Sequence, residues 1–272
     1  MVSPSPLPLS CADLDARALL ADKKNRVCPP HAATILFRLF LCAQRIGKKE
    51  VFDNVVRVGI KDYFTVPDED TQRRALRLLR DDVKDNGIRV LRIPYGITYI
   101  CRMVFCNCDS LVSVTIPLNV THIGIGAFQD CVSLTSIKIP DTITHINMQA
   151  FANCQSLVTA VIPNTVKRIQ EHTFHHCISL VSVHIPNSVT HIEDDAFEYC
   201  SSLATVVFPT SLRSIGCGAF RNCVSLTSVV IPKSVGINLW AFKGCTVKIE
   251  TRTSVTDIGE NASESEVHLG KV

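Results

Sequence analysis

Long hydrophobic runs are missing from this 272-residue chain. A membrane-spanning helix needs about 18 consecutive apolar residues. The best stretch, residues 33–46, is shorter and carries Arg38. An excess of charge is also missing: 28 basic residues face 25 acidic ones, a net +3, which argues neither for nor against a polyanion. The opening Met1-Val2-Ser3-Pro4-Ser5-Pro6 has no basic segment followed by an apolar one. The expectation is a chain without a secretory signal, in a reducing compartment. No Walker loop, His-Glu-x-x-His, nucleophile elbow or kinase signature occurs. Serine, histidine and aspartate are present, but nothing in the sequence places them together. No enzyme and no cofactor is expected.

What the chain does have is apolar mass, 46%, enough to bury a core, and thirteen cysteines. It is too long to be a small disulfide-stapled scaffold. The decisive feature is a repeat. Phe105, Phe128, Phe151, Phe174, Phe197 and Phe220 stand 23 residues apart, and Phe242 follows after 22. Three residues past each comes a cysteine: Cys108, Cys131, Cys154, Cys177, Cys200, Cys223 and Cys245. Leu111, Leu134, Leu157, Leu180, Leu203 and Leu226 form a third column. Prolines at 94, 117, 140, 163, 186, 209 and 232 form a fourth. The unit reads Ile-Pro-x-x-Val-Thr-x-Ile-x-x-x-Ala-Phe-x-x-Cys-x-Ser-Leu-x-x-Val-x.

Each column has a physical role. The Leu-x-x-Val-x-Ile piece, residues 134–139 in one copy, is a short strand with alternate residues inward. Copies side by side make a parallel sheet, and Pro ends each strand because it has no N–H for the ladder. A second inward pair follows, such as Ile143 and Ile146. The Ala-Phe-x-x-Cys piece is then a short helical turn or bend, with Phe filling the core and Cys packed beside it as a small hydrophobe. The serines before each Leu (Ser110, Ser133, Ser156, Ser179, Ser202, Ser225) are expected to bond backbone at the return into the strand. One unit cannot bury enough to fold alone, so stability belongs to the stack. Six full turns with partial ends are expected.

On these motifs, residues 91–250, about 60% of the chain, resemble the BspA-type leucine-rich repeat family. The clearest copies are 116–139 and 185–208. Val104 and Thr173 stand where the pattern has Ala, Phe208 where it has Ile, and the last unit loses a residue near Gly236 and shortens its strand to Val247-Lys248-Ile249. The resemblance implies an α/β solenoid, a right-handed leucine-rich repeat superhelix with a parallel sheet, used for binding proteins. It also implies, for many members, a cell-surface adhesion role.

The flanks read differently. Residues 1–9 and 251–272 are expected to be disordered. Residues 10–90 read as a helical N-terminal cap or, alternatively, an independent helical module. Within it, Leu14, Ala18 and Leu19 mark one helix and residues 32–46 another, with residues 51–60 as helix or strand. A last helix starts at Asp68-Glu69-Asp70 after Pro67 and stops at Asn86-Gly87. Leu76, Leu79 and Val83 are its buried stripe. Its Arg73, Arg74, Arg77 and Arg80 could touch nucleic acid. However, Glu69–Arg73, Asp70–Arg74 and Arg77–Asp81 have i,i+4 spacing, and no aromatics interleave for base stacking. A self-paired face, and no nucleic-acid partner, is the expectation.

Candidate sites were weighed against plainer readings. Gly124-Ile125-Gly126 resembles the start of a dinucleotide loop, but Gly216-Cys217-Gly218 falls in the same register, which makes it a turn. Cys28, His31, Cys11 and Cys42 have irregular spacing for zinc and read as structural. His122, His145 and His191 share one column as an exposed row. His172, His175 and His176 cluster, with Asp195 beside His172 and Glu198 beside His175. Either group could bind metal or respond to pH, and solvated turn residues are the commoner case. The working surface is the outward face of the strands: Ser113, Thr115, Ser136, Lys138, Thr159, Val161, Ser182, His184, Thr205, Val207, Ser228 and Val230. It is small-residue and β-branched, with Lys138 and His184 its large polar groups. It lacks the Trp, Tyr and Arg that carry hot-spot energy.

The expectation is therefore a monomeric, cytoplasmic, non-enzymatic scaffold that binds another protein or an extended peptide. A cell-surface or secreted adhesion protein is the alternative. A ubiquitin-ligase substrate receptor, suggested by Leu7-Pro8-Leu9 and the helices after it, is a third.

Overall fold

The computed structural model describes residues 69–94 and 96–252. Several sequence readings lie outside them: the disorder expected of residues 1–9 and 253–272, the helices expected in residues 10–68, the Cys11, Cys28, His31 and Cys42 group, and the receptor motif at residues 7–9; residues 251 and 252, expected in the tail, are strand.

The described chain opens with one helix, α1 (Glu69–Asn86). Glu69 and Asp70 face the positive end of its dipole and Lys84 the negative end. Leu76, Leu79 and Val83, at i, i+3 and i+7, are fully buried. At the C-terminus Gly87 takes φ 60° and the Ile88 N–H donates to the Val83 carbonyl at 3.2 Å. That closes the helix with a left-handed glycine, as the sequence predicts. The arginine face differs from expectation. Arg73 reaches both Glu69 (2.8 Å) and Asp70 (3.4 Å), so Asp70 is not left for Arg74. Asp81 pairs with its neighbour Arg80 rather than with Arg77. The predicted i,i+4 pair Glu69–Arg73 forms, while Asp70 and Asp81 take Arg73 and Arg80 in place of Arg74 and Arg77.

Fifteen strands follow in chain order. They are β1 (Val90–Arg92), β2 (Tyr99–Ile100), β3 (Ser113–Thr115), β4 (His122–Ile123), β5 (Ser136–Lys138), β6 (His145–Ile146), β7 (Thr159–Val161) and β8 (Arg168–Ile169). The series continues with β9 (Ser182–His184), β10 (His191–Ile192), β11 (Thr205–Val207), β12 (Ser214–Ile215), β13 (Ser228–Pro232), β14 (Gly236–Ile237) and β15 (Lys248–Arg252). Odd-numbered strands pair only with odd, even only with even, and every pair is parallel. The chain therefore winds as a solenoid of about seven turns with two strand-bearing sides.

The second side is a finding. The inward pairs such as Ile143 and Ile146 were read as following a turn. In fact His145 and Ile146 form a two-residue strand in register with His122 and Ile123. Such short strands carry no alternation that a sequence can display. The last strand is also longer than expected. β15 runs to five residues instead of three and pairs along its whole length with the equally long β13, Arg252 opposite Pro232.

The third side is a bend, and it is not helical. Two columns adopt positive φ. One comprises Met103, Gly126, Gln149, His172, Asp195, Gly218 and Trp240, and the other Asn107, Asp130, Asn153, His176, Tyr199, Asn222 and Gly244. Left-handed residues twice per turn break any helix into successive tight turns. The freed N–H groups point to the next coil. Phe105, Phe128, Phe151, Phe174, Phe197 and Phe220 donate to residues 127, 150, 173, 196, 219 and 241 at 2.7–2.9 Å.

The phenylalanines stack inside. Consecutive ring centroids from Phe105 to Phe242 lie 5.1–5.7 Å apart, and no pair is tilted by more than 14°. The first six are fully buried. The cysteine column is a hydrogen-bonding column as well as a packing one. Cys131, Cys154, Cys177, Cys200, Cys223 and Cys245 each donate S–H to the carbonyl of the Phe 25 or 26 residues earlier, at 3.0–3.2 Å. Each Phe from 105 to 220 is thus held to the next coil through both its N–H and its carbonyl. At the buried Ala column, Thr173 is accommodated because its hydroxyl donates to the Gln170 carbonyl at 2.7 Å. The serine column behaves otherwise than expected. Ser110 bonds the Ile88 carbonyl through its hydroxyl, whereas Ser156, Ser179, Ser202 and Ser225 use their backbone N–H.

Candidate functional site

Alternation sends the second residue of each odd-numbered strand from β1 to β13 inward: Leu91, Val114, Ile137, Ala160, Val183, Val206 and Val229 are buried. Their neighbours face solvent. Register aligns those neighbours into rows within each ladder, for example Arg92, Thr115 and Lys138, then Val161, His184 and Val207, then Val230 and Glu250. Thr115, Ser136, Lys138, Thr159, Val161, His184, Thr205, Val207 and Ser228 are exposed, and Ser113, Ser182 and Val230 are half-buried. The face is more apolar than composition suggests. Val207 is 78% and Val161 59% exposed, and Val158 and Val181 flank them.

The short strands present the histidine row. His122 and His145 stack with centroids 4.6 Å apart and planes 2° from parallel, while His191 lies between Arg168 and Ser214. Each histidine is bonded through Nδ1 to the preceding threonine: Thr121 at 2.7 Å, Thr144 at 2.9 Å and Thr190 at 2.7 Å. Each of those hydroxyls donates its one proton to a carbonyl of the previous coil at 3.2 Å.

The other cluster forms as the sequence spacing predicts. His175 Nε2 lies 3.2 Å from Glu198, and His172 Nε2 3.8 Å from Asp195. What the sequence did not announce is Arg221, one coil further on. It binds the buried Glu198 through Nε at 2.7 Å and approaches Asp195 at 3.5 Å. His176 stacks on Tyr199 at 4.4 Å. With both carboxylates shared with Arg221, this is an ion-pair network. Among the described residues no group of three or more His, Cys, Asp or Glu could hold a metal.

Burial, and then the neighbouring imidazoles, hold His175 and His122 below the ordinary value of 6.5. The unfolded chain therefore binds protons first. Stability is present above about pH 6.5 and falls as pH drops through that value. Thermal melts at pH 7.5 and 5.5 should show a lower midpoint in acid, with a smaller difference in the His122→Gln/His175→Gln variant. A midpoint that rises in acid, or an unchanged slope in the variant, would contradict the assignment.

The repeat geometry has a counterpart among known families. A sequence model of the BspA type leucine rich repeat region, in six copies, matches residues 84–204 and 144–269.

The chain belongs to the BspA-type leucine-rich repeat family.

Among solved structures it is similar to the leucine rich repeat protein of T. pallidum, with 32% identity over 59% of this chain and 78% of that one, TM-score 0.57. It is also similar to a leucine-rich repeat protein from Eubacterium ventriosum, with 27% identity over 64% of this chain, TM-score 0.54. A leucine rich cell surface protein from Faecalibacterium prausnitzii has 28% identity over 61% of each chain, TM-score 0.43. This chain spans 46% of the second protein and 61% of the third. No curated protein matches it.

BspA-type repeats are generally binding scaffolds without catalysis. In this BspA-type array Gly126 and Gly218 occupy one of the positive-φ columns. The Gly124-Ile125-Gly126 segment is therefore a bend of the coil and not a phosphate loop. The second of the two columns was detectable in principle. Asn, Asp, His and Gly recur at 107, 130, 153, 176, 222 and 244, and these are residues that tolerate left-handed backbone.

Proposed function

We propose that this chain is a non-enzymatic protein-binding scaffold. Its long-strand face receives an extended segment of a partner, and α1 covers the N-terminal end of the array. The observation that carries the reading is the exposed stripe on a rigid sheet: Val161 and Val207 stand out among small hydroxyl residues, with Lys138 and His184 as polar marks. Solvent-facing valines held by a buried ladder cost nothing further to order, which favours association. The face offers apolar area without aromatic anchors, so affinity is moderate. A reducing compartment suits the described cysteines, which are all unpaired thiols.

Capture from native lysate with the whole chain, compared with the Val161→Asp/Val207→Asp variant, tests this. The partner should be lost from the variant and retained by Glu171→Ala, which alters the bend side. Capture that survives the double substitution would sink the assignment of the face.

A further inference from the structure

The groove between α1 and the first coil is absorbed by neither the repeat nor the sheet face. Its volume is about 970 Å³. Four guanidiniums line it: Arg73, Arg77 and Arg80 from α1, and Arg102 from the first coil. Residues 73, 77 and 80 follow a 3.6-residue period, so they share one side of the helix. Among the described residues Glu69 is the one acidic residue of the lining, and Arg73 already holds it at 2.8 Å. Arg80 is bonded to Asp81. Arg77 and Arg102 have no carboxylate within ion-pair distance among the described residues. The pairing of Arg77 with Asp81, which spacing suggests, does not form because Arg80 takes Asp81.

Such a concentration of one charge is costly unless an anion relieves it, and guanidinium forks match carboxylates two bonds at a time. Arginines one helical turn apart are spaced by about 5.4 Å. Alternate side chains of an extended peptide are about 6.6 Å apart on one face. The two spacings are close enough for successive carboxylates to meet successive guanidiniums. The groove is open and of mixed polarity rather than an enclosed apolar cavity, which suits a chain segment better than a small molecule. Met103 and Val104 give apolar contact for the peptide's carbon stems. Among the described residues Tyr99 and His122 are the only rings in the lining, which is a poor platform for successive bases.

We propose that this groove is a second docking site, independent of the sheet face, for an extended acidic peptide whose carboxylates alternate along the strand.

The test uses the full chain and a fluorescent peptide of alternating glutamate and serine, read by polarisation at two ionic strengths. Saturable binding that weakens with salt is expected, with none for the peptide in which glutamine replaces glutamate. Arg77→Gln/Arg102→Gln should weaken binding roughly tenfold or more, the loss of two charge-assisted donors. Arg74→Gln, outside the lining, should leave it unchanged. Thermal melts establish that the variants fold, and Arg77→Gln or Arg102→Gln alone should show part of the same loss. Failure to saturate, or binding unchanged in the double variant, overturns the proposal. So does equal or tighter binding of an oligodeoxythymidylate of equal charge. Displacement by inorganic phosphate at the peptide's own concentration would reassign the site to a single-phosphate pocket and overturn it as well.

Discussion

Phe174→Ala unfolds the array at a much lower temperature than the parent chain. Phe174 is fully buried in the middle of the aromatic column, stacked 5.5 Å from Phe151 and 5.3 Å from Phe197. Truncation removes its transfer energy and leaves a cavity that neighbouring rings cannot fill, because their backbones are pinned coil to coil. Such losses run to about 3–5 kcal/mol. Against a total stability of roughly 5–15 kcal/mol this is a large fraction. For a chain of this size the melting midpoint should drop by about 6–20 °C. Coils stabilise one another through shared faces, so the drop should appear as one cooperative shift and not as a fraying of one coil. Val158→Ala, on the exposed face, should move the midpoint by no more than about 2 °C. Calorimetry of the two variants decides it. A Phe174→Ala midpoint within a degree or two of the parent would mean that the ring column is not the spine of the fold.

Thiol labelling should separate the cysteines by orders of magnitude in rate. Cys131, Cys154, Cys177, Cys200 and Cys223 are completely buried, and each gives its S–H to a carbonyl. Burial pushes the thiols of Cys131, Cys154, Cys177 and Cys200 well up, and Cys108 to about 11. The attacking thiolate is therefore both hidden and scarce. Cys223 is also raised, first by the hydrogen bond it shares with Cys245 and then by burial, while the same bond lowers Cys245. Among the described cysteines, iodoacetamide should modify the half-buried Cys217 and Cys245 first. The interior five should wait for opening of the array, slower by about a thousandfold or more. Peptide mapping by mass spectrometry at timed quenches reads this directly. Comparable rates at Cys177 and Cys217 would contradict the buried column. Disulfides between column neighbours, in protein alkylated at lysis, would sink both the thiol column and the reducing compartment.

These two results probe features that were unequally legible in the sequence. The aromatic column was visible because a 23-residue period repeats too many residue types to be accidental. The thiol bonds were not, because cysteine packs like a small hydrophobe and its weak donor has a target only once the coils are stacked. The helix end at Asn86-Gly87 was readable from local backbone chemistry. The arginine pairing was not, since i,i+4 spacing permits several partners and side-chain reach chooses among them.

The candidate surfaces divide in the same way. Alternation along each strand predicted which residues face outward, and the exposed positions from Thr115 to Ser228 follow from it. The His175–Glu198 contact also followed from a shift of one repeat. Arg221 escaped because it completes the network from two coils beyond His175.

Period and alternation are one-dimensional, so the amino-acid order alone was enough to specify the solenoid, its buried columns and the residues presented to solvent. Only the stacked structure decided which side chains from neighbouring coils and from α1 share a hydrogen bond, a charge or a groove. Those choices turn on distances of a few ångströms between segments that lie one or more turns apart in the chain, and residue type does not encode such distances.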